Sequence, residues 1–191
     1  MERNQKDRRA FIAIGGNETS DFGPPERTIA HALASLGGAG VRIRAISRFF
    51  RSAAFPAGSG PDYVNLVAEL SSPLDAEALL ARLHAVESEC GRMRHRRWGA
   101  RTLDLDLLAF GDQILPDRDT LAHWIGLGAE EQLAATPDRL ILPHPRLQDR
   151  AFVLIPWADI APLWRHPLTG RTVARMLAAL PGALTAGVRP F

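Results

Sequence analysis

Residues 103–107 read Leu-Asp-Leu-Asp-Leu, and this alternation is the feature that most restricts the fold. In a β-strand successive side chains point to opposite faces, with a rise of about 3.3 Å per residue. The alternation therefore predicts a strand with Leu103, Leu105 and Leu107 toward a core. Asp104 and Asp106 share the other face, roughly 7 Å apart along the strand.

A carboxylate pair at this spacing can hold one or two Mg²⁺ ions, which need oxygen ligands and usually take only a few from the protein. Just upstream stand Arg92, Arg94, Arg96, Arg97 and Arg101. Guanidinium forks match phosphate oxygens. Carboxylates beside arginines suit phosphoryl chemistry on a nucleotide. The same residues also admit a plainer account, in which the aspartates line a solvated sheet face and the arginines pair with them.

The rest of the chain supplies the partners for this strand. Residues 10–15 read as a buried strand that ends in the turn Gly15-Gly16-Asn17. Pro24 and Pro25 open a helix with Ile29, Leu33 and Leu36 on one face, stopped by Gly37-Gly38. Residues 41–50 read as a second strand, with Val41, Ile43 and Ala45 against Arg42 and Arg44. A loop from Ser52 to Pro61 leads to a third strand at 63–70, where Tyr63 and Asn65 share a face. Asp75 caps a second helix whose apolar face is Ala76, Leu79, Leu80, Leu83 and Val86. The order β-α-β-β-α-β predicts an α+β, ferredoxin-like core: an antiparallel sheet with helices on one face. Beyond Gly111 the pattern weakens into a C-terminal extension. Short helices are expected near 119–124, 128–135 and 172–180, and an apolar, proline-punctuated stretch at 152–164.

Composition excludes several classes. Lys6 is the only lysine, so there is no P-loop, and arginine and metal must supply any positive charge for a nucleotide. The net charge of +2 is too small to imply a nucleic-acid coat. A single cysteine, Cys90, rules out an intrachain disulfide framework and fits a reducing cytoplasm. No apolar run reaches the length of a membrane span. The expectation is one domain over residues 1–191, a cytoplasmic monomer, with 1–9 a flexible N-terminus and 112–138 an inserted segment.

The run Arg97-Trp98-Gly99-Ala100-Arg101-Thr102-Leu103-Asp104-Leu105-Asp106 resembles the core motif of the 6-hydroxymethyl-7,8-dihydropterin pyrophosphokinase family. Other blocks follow in the family's order: Gly-Gly-Asn after the first strand, Arg48-Phe49-Phe50-Arg51-Ser52, Pro61-Asp62-Tyr63-Val64-Asn65, Glu87 with Gly91-Arg92, Leu142-Pro143-His144-Pro145-Arg146, and Arg150-Ala151-Phe152-Val153-Leu154. The resemblance runs from Phe11 to about Leu180. It implies transfer of diphosphate from ATP to 6-hydroxymethyl-7,8-dihydropterin in folate biosynthesis, with AMP as the other product. By the same resemblance Asp104 and Asp106 bind two Mg²⁺ ions, and Arg92, Arg101 and His144 are catalytic. Glu87, Arg92, Arg94, Arg97, Arg101, Arg139, His144 and Arg150 line the ATP site. Ser52, Phe55, Tyr63, Asn65, Trp98 and Phe152 surround the pterin. The sequence departs from the family at Gly16, where a serine is usual, at Ala53-Ala54, where proline is frequent, and at His95, where a lysine often stands. A ferredoxin-like sheet with aromatics and a basic loop is also how single-stranded RNA is held. Against that reading, Asp104 and Asp106 would repel a phosphate backbone, and no nucleic-acid or membrane partner is expected.

Overall fold

The computed structural model describes residues 7–37, 40–54, 58, 60–91 and 101–191. Six strands, β1 (Arg8–Gly16), β2 (Arg42–Ile46), β3 (Phe50–Ser52), β4 (Tyr63–Ser72), β5 (Asp104–Phe110) and β6 (Val188–Pro190), form one sheet. Its order is β5-β1-β4-β3-β6, with β2 pairing β4 farther along the same edge as β3, and the pairings are antiparallel. This is the ferredoxin-like order with its second strand broken in two.

Helices α1 (Pro25–Leu36) and α2 (Ala76–Glu89) cover one face. Pro25 starts α1, and Ile29, Ala32, Leu33 and Leu36 are buried at the spacing of one helical face. Asp75 caps α2 by accepting from Ala78 N at 2.8 Å, and Leu79, Leu83 and Val86 go inward. They meet Ile12 and Ile14 of β1 and Leu103, Leu105 and Leu107, so the leucines of the alternating strand point into this core as expected.

Three expectations need correction. Helices cover both faces of the sheet. Phe11, Val67, Leu108 and Ala109 are apolar on the second face and are buried under α5 (Ala151–Ile160) and α6 (Val173–Ala178), with Trp157 fully enclosed. The stretch 152–164 thus contributes a helix that keeps Pro156 inside it.

The strand expected over 41–50 breaks after Ile46. Val41 is buried, but Ile43 is 38% exposed, so the anticipated apolar face is not a core face. The break has a tertiary cause. Ser47 Oγ accepts from Val67 N at 3.0 Å in place of a backbone carbonyl. The Arg48 N–H and guanidinium both donate to Asp159 of α5, at 2.8–3.2 Å.

Finally, Arg8 and Arg9, expected in a flexible tail, lie in β1 opposite Ser72 and Ser71. Arg9 pairs with Glu69 at 2.7 Å and lies over the Phe11 ring. Short helices α3 (Arg118–Gly126), α4 (Ala129–Ala134) and α7 (Gly182–Ala186) and a 3-10 turn, Leu147–Asp149, complete the chain. Among the described residues no helix is long and apolar enough to cross a membrane.

The second layer contains a buried imidazole. His166 is 1% exposed, and its Nδ1 accepts from Leu168 N at 3.2 Å, so its proton sits on Nε2. Burial pulls its pKa down to about 4. The folded state therefore holds it neutral while the unfolded chain protonates near 6.5. Stability from this residue is complete above pH 6.5, falls as pH drops from 6.5 toward 4, and levels off below. The loss is at most about 3 kcal/mol. Urea titrations between pH 7.5 and 4 should show a shallower decline for His166→Gln than for the wild type; parallel declines would exclude this residue as a source.

Candidate active site

The face under α5 continues, toward the start of β5, into a polar patch. Asp104 lies opposite Gly15 and Asp106 opposite Ala13. On the other side of β1, Asn65 lies opposite Gly15 and Val67 opposite Ala13. Directly opposed residues of antiparallel strands share a face. Asp104, Gly15 and Asn65 thus form one row, and Asp106 sits in the next row, which leads to the second core. A Cβ on Gly15 would lie 3.0 Å from Asn65 Oδ1, so the missing side chain is what lets the Asn65 amide lie against the β1 backbone.

Each carboxylate has a guanidinium against it. Arg101 Nη1 donates to Asp104 Oδ2 in a short contact, and Arg150 Nη1 donates to Asp106 Oδ2 at 3.3 Å. All four side chains are between 24% and 35% exposed, neither sealed off nor freely solvated. Burial works against the Arg101 charge, but Asp104 in contact and Asp106 behind it outweigh that and hold its pKa above the usual value. The arrangement pairs Arg101 with Asp104, as the plainer sequence account has it, and pairs Asp106 with Arg150, which that account did not include. It also brings two cations and two anions to one place.

His144 joins this group. Its backbone N–H donates to Leu108 O at 2.8 Å, which ties it to β5. Its Nδ1 accepts from Arg146 N at 3.1 Å, which leaves Nε2 as the protonated nitrogen. Burial, reinforced by Arg150 and Arg146 and opposed by Asp106, lowers its pKa to about 4. At neutral pH it is an uncharged donor beside the Arg150–Asp106 pair.

Asn65, 5% exposed, donates from Nδ2 to Ser52 Oγ at 2.9 Å. Tyr63 is half-buried one step along the same strand face. Burial raises its pKa, and it feels Arg101, Asp104 and Glu18. Phe152, 38% exposed in the first turn of α5, has the Arg150 guanidinium 5.7 Å from its ring centroid. Ser52, Tyr63, Asn65, Arg101, Asp104, Asp106, His144, Arg150 and Phe152 therefore belong to one face and its rim.

Two further assigned residues have partners of their own. Arg139 is exposed and pairs with its neighbour Asp138 at 3.1 Å. Glu87 is buried in α2, which packs on the opposite face of the sheet, and its Oε1 accepts from Leu105 N at 2.7 Å. Phe55, Arg92, Arg94, Arg97 and Trp98 lie outside the described residues.

One residue that the sequence presented only as part of a turn proves central. Asn17, 5% exposed, donates its backbone N–H to Arg101 O at 2.9 Å, and its Oδ1 accepts from Arg101 N at 2.9 Å. Its Nδ2 donates to Pro61 O at 3.1 Å. It thus fastens both Arg101 and the segment before Tyr63 to the end of β1. The available signal was a polar residue directly after a buried strand, since buried amides must find partners. Gly16 adds to this closeness: a Cβ there would lie 2.6 Å from Thr102 O, in the space a serine would need.

Comparison with known proteins shows the family and the fold. The family model for 7,8-dihydro-6-hydroxymethylpterin-pyrophosphokinase matches residues 11–162. A Synechocystis protein named 2-amino-4-hydroxy-6-hydroxymethyldihydropteridine pyrophosphokinase is 37% identical over 169 residues, 88% of this chain and 74% of the relative. A Pseudomonas aeruginosa protein of the same name is 37% identical over 174 residues, 91% of this chain and 92% of the relative. The fold matches the Plasmodium falciparum HPPK-DHPS chain solved with pterin and p-hydroxybenzoate, at a TM-score of 0.64 and 12% identity over 93% of this chain. The present chain spans 44% of that longer protein.

Proposed function

Since this chain belongs to the 7,8-dihydro-6-hydroxymethylpterin-pyrophosphokinase family, we propose that it transfers an intact diphosphoryl group from ATP to 6-hydroxymethyl-7,8-dihydropterin. It is a pyrophosphokinase of folate biosynthesis. The observation that carries the finer reading is the half-buried carboxylate pair, Asp104 and Asp106, set on one sheet face with Asn65 and with arginines in contact.

In the proposed reaction the hydroxymethyl oxygen forms a bond to the β-phosphorus of ATP. The bond from that phosphorus to the α,β-bridging oxygen breaks, and AMP leaves with that oxygen. The hydroxyl proton passes to solvent. Such chemistry depends on positioning and on electrostatic stabilisation more than on covalent catalysis.

The donor set fits Mg²⁺. Among the described residues no three His, Cys, Asp or Glu side chains converge as a metal cluster. Mg²⁺ does not require one, because one or two carboxylates suffice when phosphates and water complete its octahedron. Asp104 and Asp106 would hold two ions, which when bound neutralise phosphate charge and orient the chain of phosphates.

The protein's own groups do the rest. Arg101 and Arg150, each paired with one of the aspartates, would offer their guanidinium groups to phosphate oxygens. Arg92, Arg94, Arg97 and Arg139 complete the phosphate-facing set in this proposal. His144 donates from Nε2 to a phosphate oxygen without adding charge of its own. The Asn65 amide, with a donor and an acceptor, reads the edge of the pterin heterocycle beside Ser52. Tyr63, Phe55, Trp98 and Phe152 supply ring faces. A monomer working in the cytoplasm is part of the same proposal, and the single, buried cysteine suits a reducing compartment.

The direct test is the identity of the nucleotide product. Purified protein incubated with MgATP and 6-hydroxymethyl-7,8-dihydropterin is expected to release AMP in step with the pterin diphosphate ester, and to stop when EDTA is added. ADP as the product, or turnover that persists in EDTA, would overturn the proposal.

A further inference from the structure

We propose that Glu87 is a positioning residue for the two aspartates and acts through the backbone of β5, not on the nucleotide. This rests on the assignment of Asp104 and Asp106 as metal ligands. Among the described residues β5 is the end strand of the sheet, with β1 on one side and no strand on the other. An edge strand presents N–H groups that no neighbouring strand accepts. The residue between the two carboxylates is Leu105, and its N–H goes to Glu87 Oε1 at 2.7 Å. Leu105 is 2% exposed and Glu87 1% exposed, so this contact is shielded from water.

Location argues against a merely structural role. Glu87 follows Leu79, Leu83 and Val86 on the buried face of α2, where a leucine would extend the apolar surface. A carboxyl side chain is rarely buried so completely unless something demands it. Among the described residues, what a carboxylate does here and a leucine cannot is hold the N–H of the Asp104–Leu105 peptide. Rotation of that peptide plane would swing Asp104 relative to Asp106, and the spacing of the pair would no longer be fixed. A hydrogen bond shielded from water is electrostatically stronger than one in solvent, which suits it to resisting that rotation. Glu87 thus sets the angle between the carboxylates from behind the sheet, while the carboxylates face the other way.

The test compares Glu87→Gln, which keeps an acceptor at the same reach, with Glu87→Leu and Glu87→Met, which fill the space without one. Mn²⁺ binding is titrated by electron paramagnetic resonance in the presence of a non-hydrolysable ATP analogue, alongside kcat and the KM for pterin. Loss of the tether is expected to weaken Mn²⁺ binding by about tenfold or more, as outer-shell changes do at metal sites. It should lower kcat and leave the KM for pterin near the wild-type value. Glu87→Gln should stay close to wild type in all three. The proposal falls if both apolar variants bind Mn²⁺ normally, or if Gln is as defective as Leu. A rise in KM for ATP at unchanged Mn²⁺ affinity would also overturn it, because that pattern indicates direct nucleotide contact. Should neither apolar variant fold, Glu87→Asp, whose shorter side chain withdraws the acceptor from the Leu105 amide, decides by hydrogen exchange at that amide. Selective acceleration there supports the tether, and an unchanged rate refutes it. Asp104→Ala serves as the reference: if it too binds Mn²⁺ normally, the metal assignment has failed and not only the tether.

Discussion

Asp104→Ala or Asp106→Ala should reduce the rate of AMP formation by roughly 10³-fold or more, with the fold retained. Each substitution removes an oxygen donor from the only aspartate pair that β5 presents on this face. The arginine partner stays behind and, without its counterion, competes for the phosphates in the wrong geometry. The cost to stability is small by comparison. Both ion pairs are partly exposed, and pairs of that kind contribute about 0–1 kcal/mol. Asp104→Asn separates charge from shape, because its amide oxygen can still accept from Arg101. It should melt nearer to wild type than Asp104→Ala and be equally slow. Steady-state AMP release at saturating MgATP, paired with a circular dichroism melt, measures both quantities. Either alanine variant turning over at close to the wild-type rate would refute the metal assignment.

Trp157→Ala should cost about 3–5 kcal/mol, the range for removing a large buried aromatic side chain. Trp157 is fully buried, 5.1 Å from the Phe11 ring and 4.6 Å from that of Trp164. Phe11 belongs to β1, so the contact is one of those that join the second helical layer to the sheet. The effect should reach the site. Arg150 and Phe152 stand at the start of the same helix, and a helix that no longer seats on the sheet cannot hold Arg150 against Asp106. Urea denaturation followed by far-ultraviolet dichroism is the measurement. A loss under 1 kcal/mol would mean that the layer is held by something other than this cluster.

Much of the site was legible because its pattern is local. The alternation at 103–107 decides alone which residues of β5 face the α1–α2 core and which face the candidate site. The spacing of Ile29, Leu33 and Leu36, and of Leu79, Leu83 and Val86, likewise decides which sides of α1 and α2 are buried. Tyr63 and Asn65 share a face for the same reason that Asp104 and Asp106 do. Gly15 and Gly16 announced a turn, but not what fills the space their missing side chains leave. That space is taken by Asn65 and by the Thr102 carbonyl, which come from other parts of the chain.

What periodicity cannot reach is which distant group arrives opposite a given side chain. Arg150 is 44 residues from Asp106, and Asp159 is 111 residues from Arg48. The first pair completes the site, and the second ends a strand that the local pattern would have continued through Phe50. Glu87 is a similar case: the helical spacing says that it is buried but not that Leu105 N–H is waiting for it. Local sequence thus determined the strands, the helices and the facing of the carboxylates, because those depend on neighbours one to four residues away. Only the tertiary structure decided the counterions, the covering of the second face and the anchoring of Arg101 by Asn17, because these depend on how finished elements stack. Stacking is set by the combined shape and burial of all the elements, which no single stretch of sequence contains.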